Sequence, residues 1–347
     1  MSDLTTPNLH QLGLDRGRGN LLGVEPYITP HDYASPAALF NKLNLYLEIA
    51  QRTGWLTAKT VVLFPEYIGT WLVLAGESAH ILQAPTQAAA QRALVLRHWL
   101  KFGLGFLRAT EKGRAEASLF RLKAPVMAEG YQQVFCQLAR QYAVTLVAGS
   151  IILPAPQLTS QGLLPSNGPL HNLSMVCQPD GTPYPQPVYK AFPTAEEQPF
   201  LMPAATADLP AFDTPAGRLG VLICADSWYP QSYEAARKQQ VDLLAVPSYD
   251  ALGAPYWQQP WAGYNGWPLP ADVDRSDIRT LTEAQAWQRY SLAGRMQTSG
   301  ARYGMNVFLR GQLWDQDLGC KPATLVRDGE VLTEEPTQQA AILNLWI

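Results

Sequence analysis

Short apolar runs bounded by glycine or proline alternate along the chain with longer stretches in which apolar positions recur every three or four residues. The first kind reads as buried strands and the second as amphipathic helices. Leu21-Leu22-Gly23-Val24 starts a first strand running towards Ile28. Leu39, Leu43, Leu45, Leu47 and Ile49 give residues 37–52 a helical spacing. Val61-Val62-Leu63-Phe64 is a strand stopped by Pro65. Residues 126–142 are helical, and 144–153 form one strand ending at Pro154. Residues 172–177 form another, and Pro179-Asp180-Gly181 turns the chain back towards Val188 in a hairpin. Strands at 219–223 and 243–246 flank a helix at 231–240. A helix at 287–299 and strands at 305–310 and 341–346 complete the chain. Strands joined by helices and hairpins predict an α/β fold with mixed sheets covered on both faces.

Two segments depart from this pattern. Residues 85–125 are helical and basic, with eight Lys/Arg (Arg92, Arg97, Lys101, Arg108, Lys112, Arg114, Arg121, Lys123) against Glu111 and Glu116. Trp99, Leu100, Leu104, Phe106 and Leu107 interleave with that charge. An amphipathic helix packed on its own protein is the expectation, and a membrane-surface or partner-binding helix the alternative. Residues 249–282 are rich in aromatics, proline and glycine, and 249–270 read as a loop without regular structure. Long loops of this kind serve as lids or pocket walls, or pack on the body.

At 347 residues and 47% hydrophobic the chain can bury a sizeable core. No boundary stands out, so one domain over 1–347 is expected. The net charge of −3 argues against general nucleic-acid affinity. Four cysteines are too few for a disulfide scaffold and fit a reducing, cytoplasmic setting. The first residues lack the features of a signal peptide, and no apolar run is long enough to span a membrane.

The chemistry starts at Cys224. It follows the apolar run 219–223 and precedes turn and helix-start residues, so a thiol sits where a buried strand ends. A helix N-terminus there would favour a thiolate; a small core cysteine would look the same. A nucleophilic thiol needs a base and an oxyanion stabiliser. Of the five histidines, only His171 lies near a strand start, so a Cys–His pair is weakly supported. Glu66 follows the strand ending at Phe64, and Lys190 ends the hairpin strand at Val188-Tyr189. Either alone also reads as a solvated element end.

Taken in order, Leu63-Phe64-Pro65-Glu66, Tyr189-Lys190 and Gly220-Val221-Leu222-Ile223-Cys224-Ala225-Asp226-Ser227-Trp228-Tyr229-Pro230 resemble the three motifs of the nitrilase superfamily, the carbon–nitrogen hydrolases. The resemblance runs from about Asn20 to the C-terminus. It implies a four-layer α-β-β-α sandwich of two mixed sheets and a Glu-Lys-Cys triad acting through a thioester. Glu66 would be the general base, Cys224 the nucleophile, and Lys190 the oxyanion stabiliser with the Ala225 N–H. Glu197 would be a second carboxylate, with Glu196 its rival. Tyr67, Ala225, Trp228 and Tyr249 are the expected substrate contacts. The implied substrate is a small-molecule linear amide or N-carbamoyl compound, with no metal or organic cofactor and a homodimer or larger assembly. Asp226 favours amide-cleaving branches over true nitrilases, and nitrile hydrolysis is the alternative reaction. A glutamine-dependent synthetase would need an ATP-binding domain, and the acyltransferase branch membrane helices. A catalytically silent scaffold using the basic helices is the alternative of another class. The stretch from Glu66 to Lys190 and the loop after Ser248 are longer than the resemblance implies, and Gln231 stands where an acid often follows proline.

Overall fold

The computed structural model describes residues 4–159, 162–251, 253–319 and 321–347. Its frame is two six-stranded mixed sheets. The first runs in the order Asn8–Leu12, Ala341–Trp346, Asn20–Glu25, Thr60–Leu63, Thr145–Val147, Val176–Cys177. The second runs Ala211–Thr214, Gly217–Val221, Leu243–Ser248, Tyr303–Phe308, Thr324–Arg327, Glu330–Thr333.

Side chains alternate across a strand, so each apolar run feeds two layers. Leu21, Val61, Leu63, Leu343 and Leu345 of the first sheet join Leu219, Val221, Leu243, Met305 and Val307 of the second in one core between the sheets. Their neighbours Leu22, Val24, Val62 and Ile342 point the other way. They pack on Leu39, Leu43 and Leu47 of the helix Pro36–Arg52 and on Met127 and Tyr131 of the helix Arg114–Tyr142. Tyr233, Ala236, Leu292 and Met296 pack with the second sheet. Helices outside two face-to-face sheets make the α-β-β-α sandwich.

Several local expectations differ from the structure. An earlier strand, Asn8–Leu12, pairs in parallel with Ala341–Trp346 at the sheet edge. Its mixed sequence, NLHQL, carries too few apolar residues to stand out. The stretch 144–153 is two strands, Thr145–Val147 and Ile151–Pro154, in different sheets. Gly149, at φ +63°, makes the corner. Residues 287–299 are broken into Glu283–Tyr290, Leu292–Arg295 and a 3-10 turn. Within 249–270 there is one short helix, Ala254–Trp257.

The basic region does not end at Pro125, because the helix Arg114–Tyr142 runs through it. An interior proline forfeits a backbone hydrogen bond and costs about 3 kcal/mol. Burial of Tyr131, Val134, Phe135, Leu138 and Ala139 along the same helix outweighs it. Part of the basic surplus is neutralised locally. The buried Glu77 carboxylate gathers Lys123 at 2.6 Å, His98 at 2.9 Å and Arg97 at 3.2 Å. The helix Trp99–Arg108 lies against Arg114–Tyr142, as a packed helix should, but it has no buried residue, and Leu107 is 79% exposed. Among the described residues no helix is long and apolar enough to cross a membrane.

Candidate active site

Each of the three chemistry-bearing residues is set by the end of a strand. Thr60–Leu63 delivers Phe64, whose N–H donates to Val147 O at 3.1 Å, and then Pro65 and Glu66. A Cβ at position 149 would overlap the Pro65 carbonyl oxygen, so only glycine lets the two chains approach. Ser150 then accepts the Tyr67 N–H at 2.9 Å, with Tyr67 itself left-handed at φ 63°. Val188–Tyr189 pairs antiparallel with Leu170–Ser174, and the Lys190 N–H donates to Asn172 O at 2.9 Å. Gly217–Val221 leads through Leu222 and Ile223 to Cys224.

The helix that begins at Cys224 is short. Cys224 opens a five-residue 3-10 turn, Cys224–Trp228, with a left-handed φ of 49°. A non-glycine residue held there is strained and must be fixed by its surroundings. Asp226 supplies much of that fixing. One carboxylate oxygen accepts the Ala191 N–H at 2.9 Å and the Phe192 N–H at 2.8 Å. The other accepts the Ile223 N–H at 3.1 Å. This buried carboxylate therefore ties the segment after Lys190 to the segment before Cys224.

The side chains converge on one ammonium. Lys190 Nζ donates to Glu66 Oε1 at 2.8 Å and to Glu197 Oε1 and Oε2 at 2.9 and 2.7 Å. Asn172 Nδ2 also donates to Glu66 Oε1 at 2.8 Å, and the Thr194 N–H to Glu197 Oε2 at 2.7 Å. The Tyr67 hydroxyl donates to Glu197. Glu66 and Cys224 interact electrostatically, and Cys224 Sγ lies 3.7 Å from Tyr249 O. All four side chains are more than nine-tenths buried.

Electrostatics push the two carboxylates apart. Burial raises Glu66 above the usual carboxylate range, Lys190 pulls it back, and the charge of Glu197 raises it again. Burial acts on Glu197 too, but Lys190, Tyr67 and the Thr194 N–H overcome it and hold its pKa below the usual value. Burial alone would lower the Lys190 ammonium; Glu197, Glu66 and Cys224 hold it well above its ordinary value. Burial, then Glu66, push the Cys224 thiol well up, against Lys190. Burial and Glu66 thus favour the protonated form of Cys224, while Lys190 pulls towards the thiolate. Carboxylates driven apart in this way divide naturally into one that moves a proton and one that stays charged.

These groups form the floor of a cavity of about 460 Å³. The four expected substrate contacts, Tyr67, Ala225, Trp228 and Tyr249, all line it. Glu196 lines it too, but its carboxylate accepts from Asn265 Nδ2 at 2.9 Å rather than from Lys190. His171 is not among the lining residues and stacks edge-on to Tyr189 at 4.9 Å, so a Cys–His pair is not formed. Among the described residues no cluster of three or more His, Cys, Asp or Glu is placed to hold a metal ion.

Residues 27–267 match the family model for carbon–nitrogen hydrolases. The chain belongs to the carbon–nitrogen hydrolase family. The chain also shares its fold with solved members of the nitrilase superfamily. An amidase from Nesterenkonia sp. is 14% identical, with 96% of this chain and 92% of that one aligned at a TM-score of 0.54. A carbon–nitrogen hydrolase from Helicobacter pylori G27 is 15% identical, with 94% and 88% aligned at a TM-score of 0.56. A mutant of the Nesterenkonia sp. AN1 amidase, 13% identical over 95% of this chain and 93% of that one (TM-score 0.53), carries the Michael adduct of acrylamide at its active site cysteine. No curated protein matches the sequence.

Sequence reasoning missed part of the hydrolase's site. Asn172 stood out only as the start of a hairpin strand, yet its amide holds Glu66. Asp226 stood out as a branch marker, yet it joins two catalytic-loop segments. Trp287, expected only as the start of a helix, and Glu283, in no expected element, line the cavity with Trp257, Trp261 and Tyr264 of the aromatic loop. The alternation rule was available for Asn172: in Leu170–Ser174 it faces opposite to His171. No local pattern signals where Glu283 falls.

Proposed function

We propose that this carbon–nitrogen hydrolase cleaves a non-peptide carbon–nitrogen bond in a small linear amide or N-carbamoyl compound through a thioester on Cys224. The observation that carries this reading is the shared Lys190 ammonium, gripped by Glu66 and Glu197, with Cys224 lining the same cavity. Glu66 takes the thiol proton as sulfur bonds to the carbonyl carbon. The oxyanion forms beside Lys190 and the Ala225 N–H, which lies in the first turn of a 3-10 helix where donors lack intrahelical acceptors. Glu66 returns the proton to the leaving nitrogen as the carbon–nitrogen bond breaks. A water then gives its proton to Glu66 and its oxygen to the thioester carbon, releasing the acid and restoring the thiol. Glu197 stays ionised and keeps Lys190 charged.

A single hydrolase domain spans 1–347 in this reading. Its described cysteines are free thiols, in keeping with a cytoplasmic setting. A homodimer or larger assembly would cover the exposed Trp99, Leu100, Leu104 and Leu107. The test is ammonia release from a panel of amides, carbamoyl compounds and nitriles. Cys224→Ala should abolish turnover with the fold intact, and Lys190→Ala and Glu66→Gln should each lose several orders of magnitude. Near-normal rates in any of the three would refute the roles, and release from nitriles alone would reassign the reaction.

A further inference from the structure

Away from the Lys190 floor, the cavity wall is aromatic and acidic. Trp228, Trp257, Trp261, Tyr264 and Trp287 line it together with Glu283. The rings brace one another: Trp228 lies edge-on to Trp287 at 5.1 Å and stacks near Trp261 at 6.0 Å, and Trp257 meets Trp287 at 5.3 Å. Glu283 is only 7% exposed. Its carboxylate accepts the Ala262 N–H at 3.1 Å, but no Lys, Arg or His among the described residues pairs with it. The indole N–H of Trp257, itself 2% exposed, has no hydrogen-bond partner among the described residues.

The remaining charges sharpen the picture. Lys190 is the only cationic side chain among the described lining residues, and two carboxylates already hold it. Glu196 and Asp250 add further negative charge to the wall, Asp250 with Lys321 3.4 Å away. A buried carboxylate without a counter-ion is costly, and a cation entering the site would relieve that cost. Tryptophan and tyrosine faces attract cations for the same electrostatic reason in weaker form. A substrate carboxylate would find repulsion and no arginine.

We propose that this box binds an alkylammonium or related cationic group of the substrate, so that the compound cleaved is an amide or urea whose far end is positively charged. The inference rests on Cys224 marking the reacting end. Within the functional reading, N-carbamoyl amino acids, which carry a carboxylate, are disfavoured.

The test uses a pair that differs in charge but hardly in shape, 4-(trimethylammonio)butanamide and 5,5-dimethylhexanamide, with anionic glutaramate as the third probe. In calorimetric titration of Cys224→Ala, the cationic amide should bind roughly tenfold or more tighter than the neutral isostere, and glutaramate weakest. Adding Glu283→Gln should cut that preference to below about threefold. Equal binding of the pair, tighter binding of the neutral amide, or a preference untouched by Glu283→Gln would overturn the proposal. If a variant does not fold, the ratio of kcat/KM for the pair in the wild-type enzyme decides alone. Ammonia release without charge preference would sink the cation box and leave hydrolysis standing. Selective binding with no release from any probe would do the reverse.

Discussion

Replacing Glu197 with glutamine removes one charge from the pair that clasps Lys190 while keeping the side chain's shape. Glu66 and Glu197 reach the same Nζ at 2.8 and 2.7 Å. Oxygens sharing one tetrahedral donor sit about 4–5 Å apart, and at an effective dielectric of about 20 their repulsion is about 3–4 kcal/mol. That repulsion helps keep Glu66 basic. Without it, Lys190 is left to Glu66 alone, and the proton affinity of Glu66 falls. If roughly half of the change reaches the transition state, the barrier rises by about 1.5–2 kcal/mol, a loss of about 10- to 30-fold in kcat/KM. The sign of the pH effect follows. Activity needs Glu66 ionised, so it is present above the pKa of Glu66 and lost as pH falls through it. Lowering that pKa moves the acidic limb of the profile to lower pH. The assay is ammonia release between about pH 4 and 10 for wild type, Glu197→Gln and Glu196→Gln. The reasoning fails if the Glu197→Gln limb stays put or moves upward, or if Glu196→Gln does more harm than Glu197→Gln.

Three further outcomes are expected. Gly149→Ala should lower stability by about 1–3 kcal/mol and reduce kcat, because φ +63° and the Pro65 carbonyl both reject a side chain there; urea melts and kinetics together check it, and a variant as stable and active as wild type would contradict it. Arg310→Met should destabilise the protein by about 3–5 kcal/mol in chemical denaturation, since Arg310 is fully buried between Glu25 and Glu334 and its loss strands both carboxylates; an unchanged midpoint would count against that. Iodoacetamide with peptide mapping should label Cys224 well before Cys136 and Cys177, which are buried away from the cavity; the fourth thiol, Cys320, is expected to be inert but lies outside the described residues. Equal, slow labelling of all the thiols would instead favour a silent binding protein.

The two-layer logic of the fold was legible because it is written locally. Leu21 and Leu22, or Val61 and Val62, face opposite cores by alternation alone. Glu66, Lys190 and Cys224 each follow a short strand, but the three strands belong to three different sheets, so only the ordered set of motifs pointed to their convergence. What stayed hidden depends on long-range geometry. An apolar run from 144 to 153 reads as one strand until the Pro65 carbonyl forces a corner at Gly149. A proline reads as a helix boundary until tertiary burial carries Arg114–Tyr142 past it. The balance of burial, Glu66 and Lys190 at Cys224 depends on the same long-range geometry. The aromatic box joins residues separated by as many as 59 positions, from Trp228 to Trp287, and nothing in either neighbourhood announces the other.

The most direct measurement is of the covalent state of Cys224 during turnover. Acid-quenched samples of enzyme reacting with a cleavable amide, mapped by mass spectrometry, should carry the acyl group on the peptide containing Cys224 and lose it on hydroxylamine treatment. Full turnover with no acylated Cys224 peptide at any quench time, and undiminished rates in Cys224→Ala, would contradict the shared site of sulfur, carboxylate and ammonium.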